Sequence, residues 1–556
     1  MRRRVEVVLK HVMLTTGAFL SLVACTAAGP APETPPQEEG KPKYGGTLTM
    51  AEGAALTSTA MDAHQGIPSN NLNTAGNVHL PLIGEDTQAR GGKITGYLAT
   101  SWEASKDGKA YTFKVRELTT HKGKPFNAED VAANFQRFLD RPNKLPLARS
   151  GCVRELVERA EARDRGTVVI HLQDVSAGFL SCLANPHIMF QPKHMLEQID
   201  GPGKGNQPPA EEVDGVGPFR MVKFIDGSIW EAQRFEQYYR EGLPYVERLV
   251  SVALPDAASV IAAFRTQRID IFSKNATTPQ HEEAEALKRE FGDRVIFKEV
   301  VSPGPDGFQL HYRRRPLDDI RVRKAIDLAY NRQAYRDLLL GGEGTFSGPY
   351  YCYWKWYLSC GELQSWSGHR DDKGEDLKRA KDLMRQAGYD PDKPGSLVLT
   401  AGCGTTSPDK CNVLQDDLSK IGIDLKIVRL EGATQRKQVE DQAFDISPWV
   451  RILTPGDPDD YNSLHYTPKA VENRARWEHS RFNELFLLQR RELDQDKRAK
   501  LVREMGQIIY NDHVLLHGYR EMLHQGWWGY VKGYVPPSEE WPHQTTYIAD
   551  QVWLDK

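Results

Sequence analysis

Over residues 375–430 the hydrophobic period switches from helix to strand and back. "EDLKRAKDLMRQAGY" (375–389) sets Leu377, Ala380, Leu383, Met384 and Ala387 on one helical stripe and closes on Gly388, a residue suited to the left-handed stop of a helix. "SLVLTAG" (396–402) then reads as a strand, "NVLQDDLSKIG" (412–422) as a helix and "IDLKIVRL" (423–430) as a strand. Helices interleaved with strands imply an α/β fold with a central sheet. The same switching runs through the first half, with strands at 44–50, 109–115 and 165–172. A helix is predicted over 125–140, capped by Asn127, with Asp130 in its first turn and Val131, Phe135, Phe138 and Leu139 on one face. Another leads into a short strand within 256–272, and two helical segments within 318–342 end at Gly341. Asp319 lies near the cap of the first of these, with Arg321 and Arg323 expected on its solvated face. No internal repeat of fixed period is present.

The N-terminus constrains where the chain works. Arg2, Arg3, Arg4 and Lys10 precede an apolar run from Val12 to Ala24, shorter than the ~20 residues of a membrane span. This is the pattern of a secretory signal over 1–24. It ends in Leu22-Val23-Ala24-Cys25, which resembles the bacterial lipobox, so Cys25 is the expected lipidation site. Acyl chains there would anchor the protein through buried methylenes worth about 0.8 kcal/mol each. Residues 25–43 are rich in Pro, Ala and Glu and read as a flexible tether. The 513 residues from Tyr44 to Lys556 exceed one ordinary domain. The formal net charge is −3, and loss of four basic residues and one acid leaves the mature chain near −6, which gives no nucleic-acid footprint.

Export gives the cysteines meaning. Besides Cys25 there are six: Cys152, Cys182, Cys352, Cys360, Cys403 and Cys411. An even number outside the cytoplasm favours disulfides. Their spacing suggests pairing in sequence order, one of 15 connectivities. No Cys-x-x-Cys or nearby paired histidines accompany them, so no metal and no cofactor is expected.

Several ordered motifs resemble those of bacterial extracytoplasmic solute-binding proteins of family 5, the peptide- and nickel-type ABC importers. They are "YGGTLTM" (44–50), "LATSWEASKDGKAYTFKVRE…HKGKPFNAEDV" (98–131), "IMFQPKHML" (188–196), "GVGPFRMVKF…RFEQYYREGLPYVERLV" (215–250), "DDIRVRKAIDLAYNRQA" (318–334), "AKDLMRQAGY", "LSKIGIDLKI" and "FDISPW" (444–449). The resemblance implies a two-lobed periplasmic-binding-protein fold of the type II, cluster C-like kind, closing about a hinge. Lobe I would take 44–303 and 525–556, with an extra subdomain at about 76–212, and lobe II 304–524. It also implies a monomer held at the membrane by its lipid, in the periplasm or on the outer face of the envelope. Its partners would be a captured solute, an ABC permease and the ATPase subunits.

Peptide-binding relatives place a Trp at the end of the "FDI…W" strand and an Asp shortly after it, which pairs with the ligand's ammonium. Trp449 matches the Trp, but the acid's usual place holds Ile452, and Arg451 adds a positive charge. The next acids are Asp457, Asp459 and Asp460; of these, Asp457 and Asp460 are candidates for the site together with Trp449 and Arg451. "YYCYWKWYLSC" (350–360) adds Trp354 and Trp356, either stacking on ligand or packed within their own lobe. A peptide or peptide-like solute is the leading ligand; an oligosaccharide, an opine-like conjugate or a metal chelate is the alternative. A secreted hydrolase is the remaining rival. No Gly-x-Ser-x-Gly or His-Glu-x-x-His motif supports it, and "GPGKGNQ" (201–207) lacks P-loop spacing, so no enzyme activity is expected.

Overall fold

The computed structural model describes residues 40–52, 62–64, 75–85, 93–140, 147–200, 208–254, 256–272, 279–302, 306–352, 356–370, 372–404, 408–450, 457–470, 472–536 and 548–556. The chain divides into Met1–Lys41 and Pro42–Lys556. Of the first unit only residues 40 and 41 are described, without regular structure, so Cys25 lies outside the described residues. All described helices and strands belong to the second. Among the described residues no helix is long and apolar enough to cross a membrane.

Two central sheets organise the second unit. The larger has seven strands, in the order Phe219–Ile225, Ile229–Arg234, Arg248–Ala253, Thr47–Glu52, Ile271–Phe272, Met522–Trp528 and Val295–Val301. Thr47–Glu52 runs parallel to both of its neighbours, and the remaining pairs are antiparallel. The other has five strands, in the order Ile423–Leu430, Leu397–Gly404, Ile446–Val450, Asp306–Leu310 and Leu515–His517. Each sheet packs its own core, one around Trp230, Phe264 and Trp528, the other around Phe308, Leu399 and Leu425. A four-stranded antiparallel sheet between Ala99 and Leu172 builds a third core with Phe113, Phe135 and Phe190.

The main chain passes between the large sheets in two places: from Val301 to Asp306, and from Arg520 to Met522. The two crossings touch each other. Ser302 N donates to Glu521 O at 2.6 Å, and Arg520 Nε donates to Ser302 O at 2.8 Å. The short crossings between separately packed sheets make this a two-lobed molecule.

The predicted helix starts follow their caps. Asn127 Oδ1 accepts from Glu129 N at 2.8 Å, and Asp130 accepts from Asn127 N at 2.8 Å, opening Ala128–Asp140 with Val131, Phe135 and Phe138 buried. The strand Ile423–Leu430 has the predicted bounds, whereas the preceding helix starts earlier, at Pro408. Arg323 departs from expectation. Arg321 is exposed and pairs with Asp319 at 2.6 Å, but Arg323 is buried. Its guanidinium donates to the carbonyls of Asp512 and Leu317, each at 2.8 Å, and lies 4.5 Å from the Tyr312 ring centroid. Ordered main-chain acceptors, rather than solvent or an acid, satisfy this charge.

All three disulfides join cysteines in sequence order: Cys152–Cys182, Cys352–Cys360 and Cys403–Cys411. The first ties Leu147–Leu156 to Phe179–Leu183, and the last ties the end of Leu397–Gly404 to Pro408–Ser419.

Candidate functional site

The strand Ile446–Val450 lies inside the five-stranded sheet, antiparallel to Asp306–Leu310 and parallel to Leu397–Gly404. Trp449 stands opposite Gly307, whose other neighbour is the strand Leu515–His517; a Cβ on Gly307 would meet Leu516 O there at 2.1 Å. The strand thus carries Trp449 to the carboxyl-terminal edge of its parallel pair, where ligands bind in open α/β sheets. Arg451 and Trp354 lie outside the described residues.

From Asp457 the chain forms the helix Pro458–His465, every residue of which is buried. Its start is over-determined. Asp457 is the N-cap and accepts from Asp459 N at 2.8 Å, while Pro458 has its φ set for the first helical position. The carboxylate of Asp457 also takes a two-pronged pair from Arg498, at 2.8 and 2.6 Å. That guanidinium lies 5.1 Å from the centroid of the Trp356 ring, within cation–π range. Asp459 is held by Arg490 Nε at 2.9 Å and Gln489 Nε2 at 2.8 Å.

Asp460 differs from its neighbours. It is buried, and its Oδ2 has no hydrogen-bond partner. Burial, reinforced by the carboxylates of Asp459, Asp457 and Glu155 and only partly opposed by Arg490, pushes its pKa up to about 8. With two of the three acids already paired to arginines, the helix start offers one carboxyl group that is mostly protonated at neutral pH and whose Oδ2 receives no hydrogen bond.

This acidic start sits against the body built on the four-stranded sheet. A Cβ on Gly178 would lie 2.8 Å from Asp459 Cβ and 2.9 Å from Asp457 Oδ1, so only glycine admits the approach. Ala177 N donates to Arg490 O at 2.8 Å. Arg490 reaches Glu155 at 3.0 Å, and Arg491 reaches Asp174 at 2.6 Å. Asp457, Asp459 and Asp460 therefore lie against the body built on the four-stranded sheet.

The 350–360 segment packs behind the same helix. Tyr350, Tyr351, Cys352, Trp356 and Tyr357 join Tyr461, Tyr466, Trp477 and Phe482 in a fourth core. Tyr350 Oη donates to Asn462 Oδ1 at 2.7 Å. Ser359 caps the short helix Cys360–Gln364, so the Cys352–Cys360 bridge fastens this loop to a helix start. Trp356 and Asp457 thus meet through Arg498, in supporting rather than exposed positions. Sequence reasoning missed Arg490, Arg498, Gln489 and Gly178. Their partners lie on other elements, and no local spacing marks them.

Comparison with known proteins agrees with this architecture. The model for bacterial extracellular solute-binding proteins, family 5 Middle, matches residues 93–473. Di/tripeptide-binding protein 2 of Pseudomonas aeruginosa is 29% identical over 435 residues, covering 74% of this chain and 78% of that protein. Heme-binding protein A of Haemophilus influenzae is 25% identical over 526 residues, covering 90% and 92%. In fold, the chain is similar to the periplasmic binding protein DppA of Helicobacter pylori in complex with the peptide STSA, with a TM-score of 0.78, 22% identity and coverage of 92% and 99%. A family match over more than half of the sequence, on a two-lobed α/β frame, leads to one conclusion: this chain belongs to the family 5 bacterial extracellular solute-binding proteins.

Proposed function

We propose that the protein captures a peptide or peptide-like solute between its lobes and hands it to an ABC permease driven by its ATPase subunits. The lobes would divide near the two crossings, with 44–303 and 525–556 on one side and 304–524 on the other. Export by residues 1–24 and lipidation at Cys25 would hold it at the membrane's outer face; three disulfides suit that oxidising setting. The observation that carries the ligand reading is Asp460, a buried carboxyl with an unpartnered oxygen in the helix start that packs against the four-stranded-sheet body. An arriving ammonium group would ionise it and supply the missing charge-assisted hydrogen bond. Trp449, Arg451 and Trp354 contact the solute in this reading, while Trp356 and Asp457 hold Arg498 and the helix start behind Asp460.

Native mass spectrometry of protein purified without denaturation, followed by titration with free-amine and N-acetylated di- and tripeptides, tests the proposal. Retained or added free-amine peptide is expected, with N-acetylated forms much weaker. Trp449→Ala combined with Arg451→Ala should abolish the thermal shift that a bound peptide produces. Failure of every peptide to bind would overturn the reading. A solute without a free amine is the second reading, favoured by Ile452 in place of the usual acid and by the cation of Arg451. An oligosaccharide, an opine-like conjugate or a metal chelate would then be the species retained.

A further inference from the structure

A second group of polar side chains converges beside the crossings, away from the acidic helix start. His524 lies in the strand Met522–Trp528 directly opposite Glu299 in Val295–Val301. Opposed residues of an antiparallel pair share a face, with Cβ atoms about 4.5–5.5 Å apart, so the register itself sets an imidazole beside a carboxylate. His281 is the first residue of the helix His281–Phe291, whose start is fixed by a capping box between Gln280 and Glu283. The rings of His281 and His524 are 5.4 Å apart and edge-on. One ligand atom from each of His281, Glu299 and His524 lies within 4.8 Å of the other two.

Glu343 completes the group from the other sheet body. It sits in the turn after the helix Arg332–Leu339. Its neighbour Gly344 has φ +103° and packs so closely on Arg520 O that a Cβ would lie 2.6 Å away. That turn aims the Glu343 carboxylate between the histidines, one oxygen 2.7 Å from His281 Nδ1 and the other 3.1 Å from His524 Nε2. His524 is buried, whereas His281 and Glu299 are exposed.

We propose that His281, Glu299, Glu343 and His524 bind one borderline divalent transition-metal ion, of which zinc is the representative, and that this ion ties the two lobes together beside the crossings. Two imidazole nitrogens with carboxylate oxygens form a donor set for zinc, nickel or cobalt rather than for magnesium or calcium, which take oxygen. Zinc bonds of about 2.0–2.2 Å place tetrahedral ligands roughly 3.3–3.5 Å apart. The ligand atoms of His281, Glu299 and His524, within 4.8 Å of one another, must therefore draw together by up to about 1.4 Å, which rotation of the exposed His281 and Glu299 side chains would supply, while Glu343, at 2.7 and 3.1 Å from the imidazoles, must give slightly. The ion would displace the protons that now link the imidazoles to Glu343. Because Glu343 alone comes from the second body, the bound ion bridges the lobes.

The test titrates tag-free, chelator-stripped protein with zinc chloride by calorimetry and with cobalt(II) by visible absorption. One equivalent is expected, with cobalt bands of a four- or five-coordinate site. His281→Ala and Glu343→Gln alter partly exposed side chains, so both variants should fold, as circular dichroism would verify. Each should lower zinc affinity about tenfold or more. Zinc should also slow hydrogen exchange at residues 302 and 519–522 in the parent protein and not in Glu343→Gln. Lack of zinc binding at micromolar concentration, or full affinity in the His281→Ala/Glu343→Gln double variant, overturns the site. Unchanged exchange on saturation overturns the tie between lobes.

Discussion

If Asp460 receives a ligand's ammonium group, binding must be linked to protons in a calculable way. The carboxyl has a pKa of about 8 without ligand, so at pH 7 it is about nine-tenths protonated, and ionising it there costs about 1.4 kcal/mol. A peptide's α-amino group, with a pKa of about 7.7–8.0, stays charged below pH 7. Binding near pH 6 should therefore release close to one proton, and affinity should rise by close to tenfold per unit from about pH 5 to pH 7. Above about pH 8 loss of the ligand's own charge reverses the trend. Calorimetry with a free-amine dipeptide, in two buffers of different ionisation enthalpy, reads both quantities. Asp460→Asn should remove the proton release, flatten the slope and weaken binding at pH 7 on the order of tenfold or more, because a buried charge partner is lost while the ionisation cost disappears with it. Affinity that is flat over this range, or a slope that survives in Asp460→Asn, would refute the assignment.

In the ligand-free protein the raised pKa means that the native state binds the extra proton, so this group's contribution falls as pH rises from about 4 to about 8. Asp460→Asn should therefore stabilise the free protein by on the order of a few kcal/mol at pH 8 and less near pH 4, measured by urea unfolding. Arg498→Ala strands the buried Asp457 carboxylate and should cost about 3–5 kcal/mol by the same assay. Gly178→Ala forces a Cβ against Asp457 and Asp459; it should cost about 1–3 kcal/mol and weaken ligand binding by pushing the acidic helix start off the four-stranded-sheet body. Cys352→Ser with Cys360→Ser opens a short loop, for which chain entropy gives a loss of about 2–3 kcal/mol, read from thermal melting.

Elements whose signal is local were legible in the sequence. The strand Ile423–Leu430 and the Asn127 cap depend on residues a few positions apart, and the structure has both as predicted. The disulfides follow the sequence order that the spacing suggested, two of them eight residues apart and Cys152–Cys182 thirty. Arg323 was misread because helical periodicity describes side-chain direction, whereas its burial depends on carbonyls of Leu317 and Asp512 that the helix pattern does not contain. The acid run at 457–460 was visible, but not the distinct state of each acid. Asp457 and Asp459 differ from Asp460 only through Arg498, Arg490 and Gln489, about thirty to forty residues away on other helices. The group of His281, Glu299, Glu343 and His524 has no sequence motif, because strand register and a turn at the crossings assemble it.

The aromatic 350–360 segment shows why residue type alone cannot assign a ligand surface. Its rings suit stacking on a solute and packing in a core equally well, and neighbouring structure decides between them. Cys352–Cys360 fixes the loop, Ser359 starts a helix at the bridge, and Tyr350 bonds to Asn462 on the acidic helix. With those restraints Trp356 is left facing Arg498, and Arg498 in turn holds Asp457. The same rings therefore bear on ligand capture indirectly, by fixing the helix that carries Asp460. Trp356→Phe would keep an aromatic ring but remove part of the packed volume and weaken the cation contact. It should lower peptide affinity less than Asp460→Asn does, and it should leave the pH slope intact, since the titrating group is unchanged.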